Sequence, residues 1–193
     1  MRRKSFGHVQ CPIARSVDAT GDAWSLLILR QAFLGARRFQ DFEQVYGITP
    51  TTLTRRLQSL TQAGLLEHRS DPAHTPRETY ELTDKGRDFL PVLLALGAWG
   101  NRWLAEDGVA IECADPETGR TLDPVVVDRT SGKRLLAGEV ALKPGPAARR
   151  GLRAALAPLR LLGGAARPAA DGGELAAAGP ARPVRTRSKP KEA

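Results

Sequence analysis

Apolar positions recur at helical spacing from Ile13 to Leu60 and again from Phe89 to Trp103, and alternate with polar ones between Leu66 and Leu82. That change of period predicts the elements. Residues 11–18 read as a short first helix with Ile13 and Val17 inward, closed by Gly21. Asp22 caps a second helix over residues 23–34, and Gly35 stops it. Trp24, Leu27, Ile28, Leu29 and Phe33 make this helix apolar nearly all round, as a core helix is. Arg37-Arg38-Phe39 is a short extended link. Phe39, Phe42 and Val45 then give a third helix its buried face, and Gly47 ends it. The turn 46–48 leads at once into a fourth helix, and helix, short turn, helix is the spacing of a helix-turn-helix.

The fourth helix carries the clearest signals. Thr49 suits the N-cap, and Pro50 suits the first helical position, where a missing N–H costs nothing. Leu53, Leu57 and Leu60 form one apolar stripe, and Gly64 stands where a left-handed C-terminal residue is favoured, with Leu65 packing back. Thr51, Arg55, Gln58 and Gln62 lie opposite the stripe, flanked by Thr52, Thr54, Arg56 and Ser59. No acidic residue occurs from Thr49 to Leu66. Arg, Gln, Ser and Thr are the side chains that bond base edges and phosphates. An ordinary solvated face is the alternative for this helix alone, but a hairpin follows directly. Leu66, His68 and Ser70 alternate with Glu67 and Arg69, and Tyr80 and Leu82 share one face of a returning strand. The tip, residues 71–77, holds two prolines with His74 and Arg77 between or beside them. A groove-sized helix with a ribbon beside it predicts a winged helix-turn-helix: mainly α, with a small β-hairpin wing.

Thr83 caps the next helix, expected to run to about residue 104. Leu90, Leu93, Leu94, Trp99 and Trp103 give it more apolar surface than one side of a small monomer buries, so a symmetric dimer is expected. An interior proline costs about 3 kcal/mol, so Pro91 predicts either a bend or a helix that starts properly only there. The dimer surface is assigned to Ile13, Val17, Leu90, Leu93, Leu94, Trp99 and Trp103.

Residues 109–143 form a small β-rich segment, with strands expected at residues 125–127 and 135–142. A repeat lies within it: Asp115-Pro116-Glu117-Thr118-Gly119 and Asp128-Arg129-Thr130-Ser131-Gly132, 13 residues apart. Two such turns have the layout of a zinc ribbon, with Asp115, Thr118, Asp128 and Ser131 at the ligand places. Thr and Ser are poor zinc ligands, so no metal is expected. A pair of ordinary glycine turns accounts for the repeat equally.

Composition adjusts this picture in one respect. The net charge is +8, yet residues 1–145 hold 19 Lys and Arg against 18 Asp and Glu, whereas residues 146–193 hold 10 against 3. The basic surplus belongs to the tail, not to the domain at 11–105 that follows a short N-terminal arm at 1–10. The tail is rich in Ala, Gly and Pro and is expected to be disordered, with a weak basic helix over residues 147–162 broken at Pro158. There is no apolar run long enough to span a membrane and no signal-peptide core, which predicts a cytoplasmic protein, on the nucleoid when DNA-bound. Cys11 and Cys113 make no disulfide framework. His8, His68 and His74 stand apart, with no nucleophile–base motif and no phosphate loop, so neither an enzyme nor a cofactor is expected.

Three stretches together, CPIARSVDATGDAWSLLILRQAFLGARRFQDF, GITPTTLTRRLQSLTQAGLLEH and TYELTDKGRDFLPVLLALGAWG, resemble the HxlR-type family of bacterial winged-helix transcriptional regulators. The resemblance covers residues 11–103. It implies a homodimer built on the first and last helices of the domain, placing two recognition helices about one turn apart on a pseudo-palindromic operator. Thr49, Pro50, Leu53, Thr54, Arg56 and Leu57 match its recognition-helix pattern, Arg37-Arg38-Phe39 its link and Pro76-Arg77 its wing. Ala23 replaces a usual Lys, and Asp71 stands where an aromatic is common. Glu112 to Lys143 resembles a ribbon-like extension of longer relatives with its thiolates gone. Several relatives sense oxidants or electrophiles at the place of Cys11. Helix starts favour negative charge, which makes Cys11 a candidate sensor; packing as a small core residue is the alternative.

The sequence therefore predicts a dimeric regulator that binds double-stranded DNA and is open to a small-molecule effector. Thr51, Thr52, Thr54, Arg55 and Arg56 are assigned to the major groove, with Thr49, Gln58 and Ser59 beside them. Arg37, Arg38, His74 and Arg77 are assigned to phosphates or the minor groove. The alternative is a winged-helix module that binds protein instead of duplex.

Overall fold

The computed structural model describes residues 5–70, 78–156 and 160–162. The chain divides into two compact units, Met1–Leu93 and Leu94–Ala193.

In the first unit, α1 spans Pro12–Thr20, α2 Ala23–Phe33, α3 Phe39–Glu43 and α4 Pro50–Gln62. Asp22 caps α2 by accepting from the Ser25 backbone N–H. Thr49 caps α4 by accepting from that of Thr52, and Pro50 opens that helix. After Ala63, Gly64 (φ 70°) turns the chain so that Leu65 N–H donates to the Leu60 carbonyl at 2.9 Å. β1 (Leu66–Ser70) then pairs antiparallel with β2 (Glu78–Leu82), Leu66 opposite Leu82 and His68 opposite Tyr80. The hairpin tip, residues 71–77, lies outside the described residues, and with it the expected contacts of His74 and Arg77. Tyr80 N–H donates to the Arg37 carbonyl at 2.7 Å, which ties the α2–α3 link to β2.

One core joins these elements. Ile28, Leu29, Ala32, Phe42, Val45, Leu53, Leu57, Leu60 and Leu66 are all at most 1% exposed. The stripe read along α4 is thus its inward face. α2 lies against α4, and α3 against both α4 and β2. At roughly 1.5–3 kcal/mol for each large buried side chain, this cluster is the main favourable term in the unit.

Some expectations are corrected. Ile13 and Val17 are not inward: they are 73% and 51% exposed, because α1 turns Ala14 and Asp18 to the domain instead. The helix after Thr83 is two helices, α5 (Asp84–Arg87) and α6 (Leu90–Trp103). Pro91 has no N–H to give to a preceding turn, so a new helix starts around it, as its ring permits in a first turn. α5 is held to β1 at close range. A Cβ on Gly86 would lie 2.1 Å from the Leu65 carbonyl oxygen, so only glycine fits there.

The second unit has β3 (Cys113–Ala114) paired with β4 (Thr121–Leu122), β5 (Ala141–Leu142) paired with β6 (Arg160–Leu161), and α7 (Arg150–Ala155) between. Residues 125–127 are not a strand; only a single bridge joins Val127 to Arg134. Of the expected strand at 135–142 only Ala141–Leu142 forms, and among the described residues of the expected helix at 147–162 only Arg150–Ala155 are helical. The tail from 163 lies outside the described residues.

The repeat at 115 and 128 is a repeat in three dimensions. Asp115 Oδ1 accepts from Glu117 and Thr118 N–H at 3.0 and 2.9 Å, and Asp128 Oδ2 accepts from Ser131 N–H at 2.9 Å. In both turns the glycine, Gly119 or Gly132, sits at φ 69° and donates to the Asp carbonyl at 2.8 Å. Thr118 and Ser131 accept from Arg120 and Lys133 N–H, so the four ligand-place side chains all bond within their own turns. These bonds hold both carboxyls below their ordinary pKa. For Asp115 the Thr118 backbone N–H is the largest cause; for Asp128 it is the Ser131 hydroxyl.

Candidate nucleic-acid interface

α4 is gripped from several sides before anything binds to it. At its start, Thr49 caps it and donates to the Thr52 hydroxyl at 2.9 Å. At its end, the Thr83 hydroxyl donates to the Gly64 carbonyl at 2.6 Å and Lys85 Nζ to the Ala63 carbonyl at 2.5 Å. A cation on the last carbonyls also complements the helix dipole. The sequence pattern does not reveal the Lys85 contact, because it joins a helix end to a residue beyond the hairpin.

The outward face of α4 is Thr51, Thr54, Arg55, Gln58 and Gln62, all exposed. Thr54 Oγ1 donates to the Pro50 carbonyl and Ser59 Oγ to the Arg55 carbonyl, each at 2.9 Å. Those hydroxyls are left chiefly as acceptors. Thr52 and Ser59 are half-buried at the edges of the face. Arg55 is exposed and pairs with no carboxylate among the described residues.

Arg56, assigned to the groove from the sequence, is not on the exposed face of α4. Its Nη2 is ion-paired with Asp22 Oδ2, at the start of α2, and its side chain is only 18% exposed. One position along a helix rotates a side chain by about 100°. That step takes Arg56 from the exposed face, where Arg55 lies, to the edge of the core.

The arginines of the link also divide. Arg37 Nη1 donates to the Ala32 and Ala36 carbonyls at 2.9 and 3.1 Å, closing the end of α2. Arg38 is exposed at the N-cap of α3. Asp41 Oδ2 accepts from both backbone N–H groups, Arg38 at 2.8 Å and Arg37 at 2.9 Å. Those bonds, Arg38's first, hold the Asp41 carboxyl below its ordinary value. Beside the wing, Arg69 is engaged by Glu67 at 2.6 Å and by Glu81 at 3.6 Å. His68 Nε2 lies 3.5 Å from Glu78 Oε2, and its ring leans on Tyr80, with centroids 4.9 Å apart. Burial, then the Glu78 charge, pushes the Tyr80 phenol up. In the turn before α4, Tyr46 holds a left-handed backbone (φ 32°) and Arg30 lies 5.3 Å over its ring.

Cys11 is the N-cap of α1, half-buried, with no side-chain cap bond. Of the residues assigned to a dimer surface, Leu90, Trp99 and Trp103 are 38%, 54% and 65% exposed. Leu93 is half-buried against the core of its own unit, and Leu94 is half-buried too.

Helix, turn, exposed polar helix and hairpin define the class: a winged helix-turn-helix protein. The sequence model of the HxlR-like helix-turn-helix family matches residues 19–108. The uncharacterized HTH-type transcriptional regulator Rv3095 of Mycobacterium tuberculosis is 34% identical over 135 residues, 69% of this chain and 85% of its own. A Synechocystis regulator of the same type, sll1512, is 38% identical over 109 residues, 56% of this chain and 78% of its own. The crystal structure of PA1607, a candidate transcription factor, aligns with TM-score 0.67 and 31% identity over 74% of this chain and all of its own. PA1374 of Pseudomonas aeruginosa, also a candidate transcription factor, aligns with TM-score 0.56 and 39% identity over 76% of this chain and all of its own. This chain belongs to the HxlR-like helix-turn-helix family of transcriptional regulators. The two structural likenesses reach past the family match, into the second unit.

Proposed function

We propose that the protein is a homodimeric, sequence-specific regulator that lays α4 in the major groove. Thr51, Thr54, Arg55 and Gln58 meet base edges there, and Arg38 meets a flanking phosphate. The observation that carries this is Arg55: an exposed cation without a carboxylate partner among the described residues, on a helix fixed at both ends. Duplexes selected by the full chain from a random pool provide the operator. In an anisotropy titration, Arg55→Ala is expected to cost about 1–3 kcal/mol of operator affinity. Unchanged affinity removes Arg55 from the interface. The protein-binding alternative predicts no salt-dependent duplex binding by the wild type.

Dimerisation rests on the exposed apolar side chains of α1 and α6, Ile13, Val17, Leu90, Trp99 and Trp103. Trp99→Glu is expected to give monomers in sedimentation and to weaken binding to a paired site more than to a half-site. Regulation by oxidants is assigned to Cys11, two residues from Ile13. Diamide is expected to weaken operator binding by the wild type and by Cys113→Ser, but not by Cys11→Ser. An equal response from all three overturns the assignment.

A further inference from the structure

Asp22 and Arg56 form a contact that neither the α4 pattern nor the proposed groove face uses. The two oxygens of the Asp22 carboxylate have separate tasks. Oδ1 accepts from Ser25 N–H and Oγ at 3.2 and 3.4 Å and so caps α2. Oδ2 holds Arg56, from the middle of α4. Ser25 itself is fully buried, so the carboxylate is fixed against the core. The arginine is constrained in turn: its side chain is only 18% exposed and its Nη2 meets the carboxylate. The pair therefore ties the α1–α2 junction, just after Gly21, to the centre of the helix whose outer face carries Arg55.

The geometry points to Arg56 as a positioning residue for recognition, not a DNA contact. Through Asp22 it sets the roll of α4 about its own axis and thus the direction in which Thr51, Arg55 and Gln58 face. Thr49, Thr83 and Lys85 hold the two ends of the helix, and the buried Leu53–Leu57–Leu60 stripe sets which face is inward. Apolar packing tolerates small rotations, and the directional Asp22–Arg56 pair on the flank narrows them. This inference rests on the reading of α4 as the groove helix.

The sign of the Asp22→Asn effect separates the two roles. Asparagine keeps an acceptor for Ser25 and removes only the charge facing Arg56. If Arg56 positions α4, Asp22→Asn and Arg56→Gln each lower operator affinity by roughly tenfold, the order expected for breaking a half-buried pair. The double variant is then no worse than the poorer single one. Affinity for a scrambled duplex stays at the wild-type value, as does the slope of log affinity against log salt. Arg55→Ala also costs less in the Asp22→Asn background than alone, although Asp22 and Arg55 do not touch. If Arg56 instead binds phosphate, Asp22→Asn binds as tightly as the wild type or more tightly, and Arg56→Gln lowers the salt slope by about one. That result overturns the inference. So does a parallel loss on operator and scrambled duplex, which marks general loosening of the fold. Circular dichroism checks folding, and if Arg56→Gln is unfolded, Asp22→Asn decides by its sign and slope. A wild type that does not prefer operator to scrambled duplex defeats the underlying reading of α4, before any variant is compared.

Discussion

The two units are built on different principles. In residues 5–93 the regular helices give each apolar residue a face, and the faces meet in a single cluster from Ile28 to Leu82. In residues 94–162 no described residue is buried, and Val125, Val126, Val127 and Leu136 are between 44% and 56% exposed. Apolar residues are present in both. Beyond the end of α6 and apart from the short α7, the described part of the second unit is two-residue strands and Asp-headed turns, which offer no extended face on which side chains can be pooled. Its order comes from local hydrogen bonds, each worth about 0.5–1.5 kcal/mol net. Hydrophobic content alone does not make a core; apolar faces must also meet one another, as those of α2, α3 and α4 do.

Paired substitutions in the two units test that contrast most strongly. Leu57→Ala is expected to cost about 2–5 kcal/mol in urea unfolding, since a fully buried leucine leaves a cavity. Leu136→Ala, at a half-exposed site, is expected to change the same transition by under about 0.5 kcal/mol. Comparable losses would show that the second unit has a core of its own. Gly86→Ala comes next, at about 3 kcal/mol, because the atom it meets is backbone and cannot swing aside. A loss below about 1 kcal/mol would mean that α5 lifts off β1 freely. Thr49→Ala removes the cap at the start of α4 and is expected to cost about 1 kcal/mol, with operator affinity falling alongside.

The smallest effect is that of pH. Asp41 in the first unit and Asp115 and Asp128 in the second all have folded pKa values below the ordinary 3.8. A depressed carboxyl contributes stability that is present above its unfolded pKa and is lost as pH falls through the folded one. The loss therefore lies below about pH 4 for all three. Amide exchange at Thr118 and Ser131 is expected to rise there while the Leu57 amide stays protected. Simultaneous loss of protection would mean that the turns and the core unfold together.

Much of this was legible from the chain. The caps Asp22, Thr49 and Thr83, the stripe Leu53–Leu57–Leu60 and the alternation of the two wing strands follow from spacing and turn chemistry, which act over a few residues. Pro91 announced an interruption but not its form. Residues 125–127 read as a strand because β-branched residues favour extended backbone, yet a strand also needs a partner, and the neighbouring turns return the chain after a single bridge. Ile13 and Val17 read as inward because apolar periodicity marks a face without saying what covers it.

The sequence by itself determined the helix-turn-helix, its wing strands and the polar face of α4, because each depends on contacts between near neighbours. Tertiary structure alone separated two neighbouring arginines of α4. Arg55 and Arg56 are adjacent and chemically identical. Asp22, distant in the chain, engages Arg56 and draws it off the exposed face that Arg55 keeps, whereas Arg37 bonds the nearby Ala32 carbonyl and stays exposed, as Arg38 does. An ion pair depends on the distance between charges in space, and only the folded core brings those charges together.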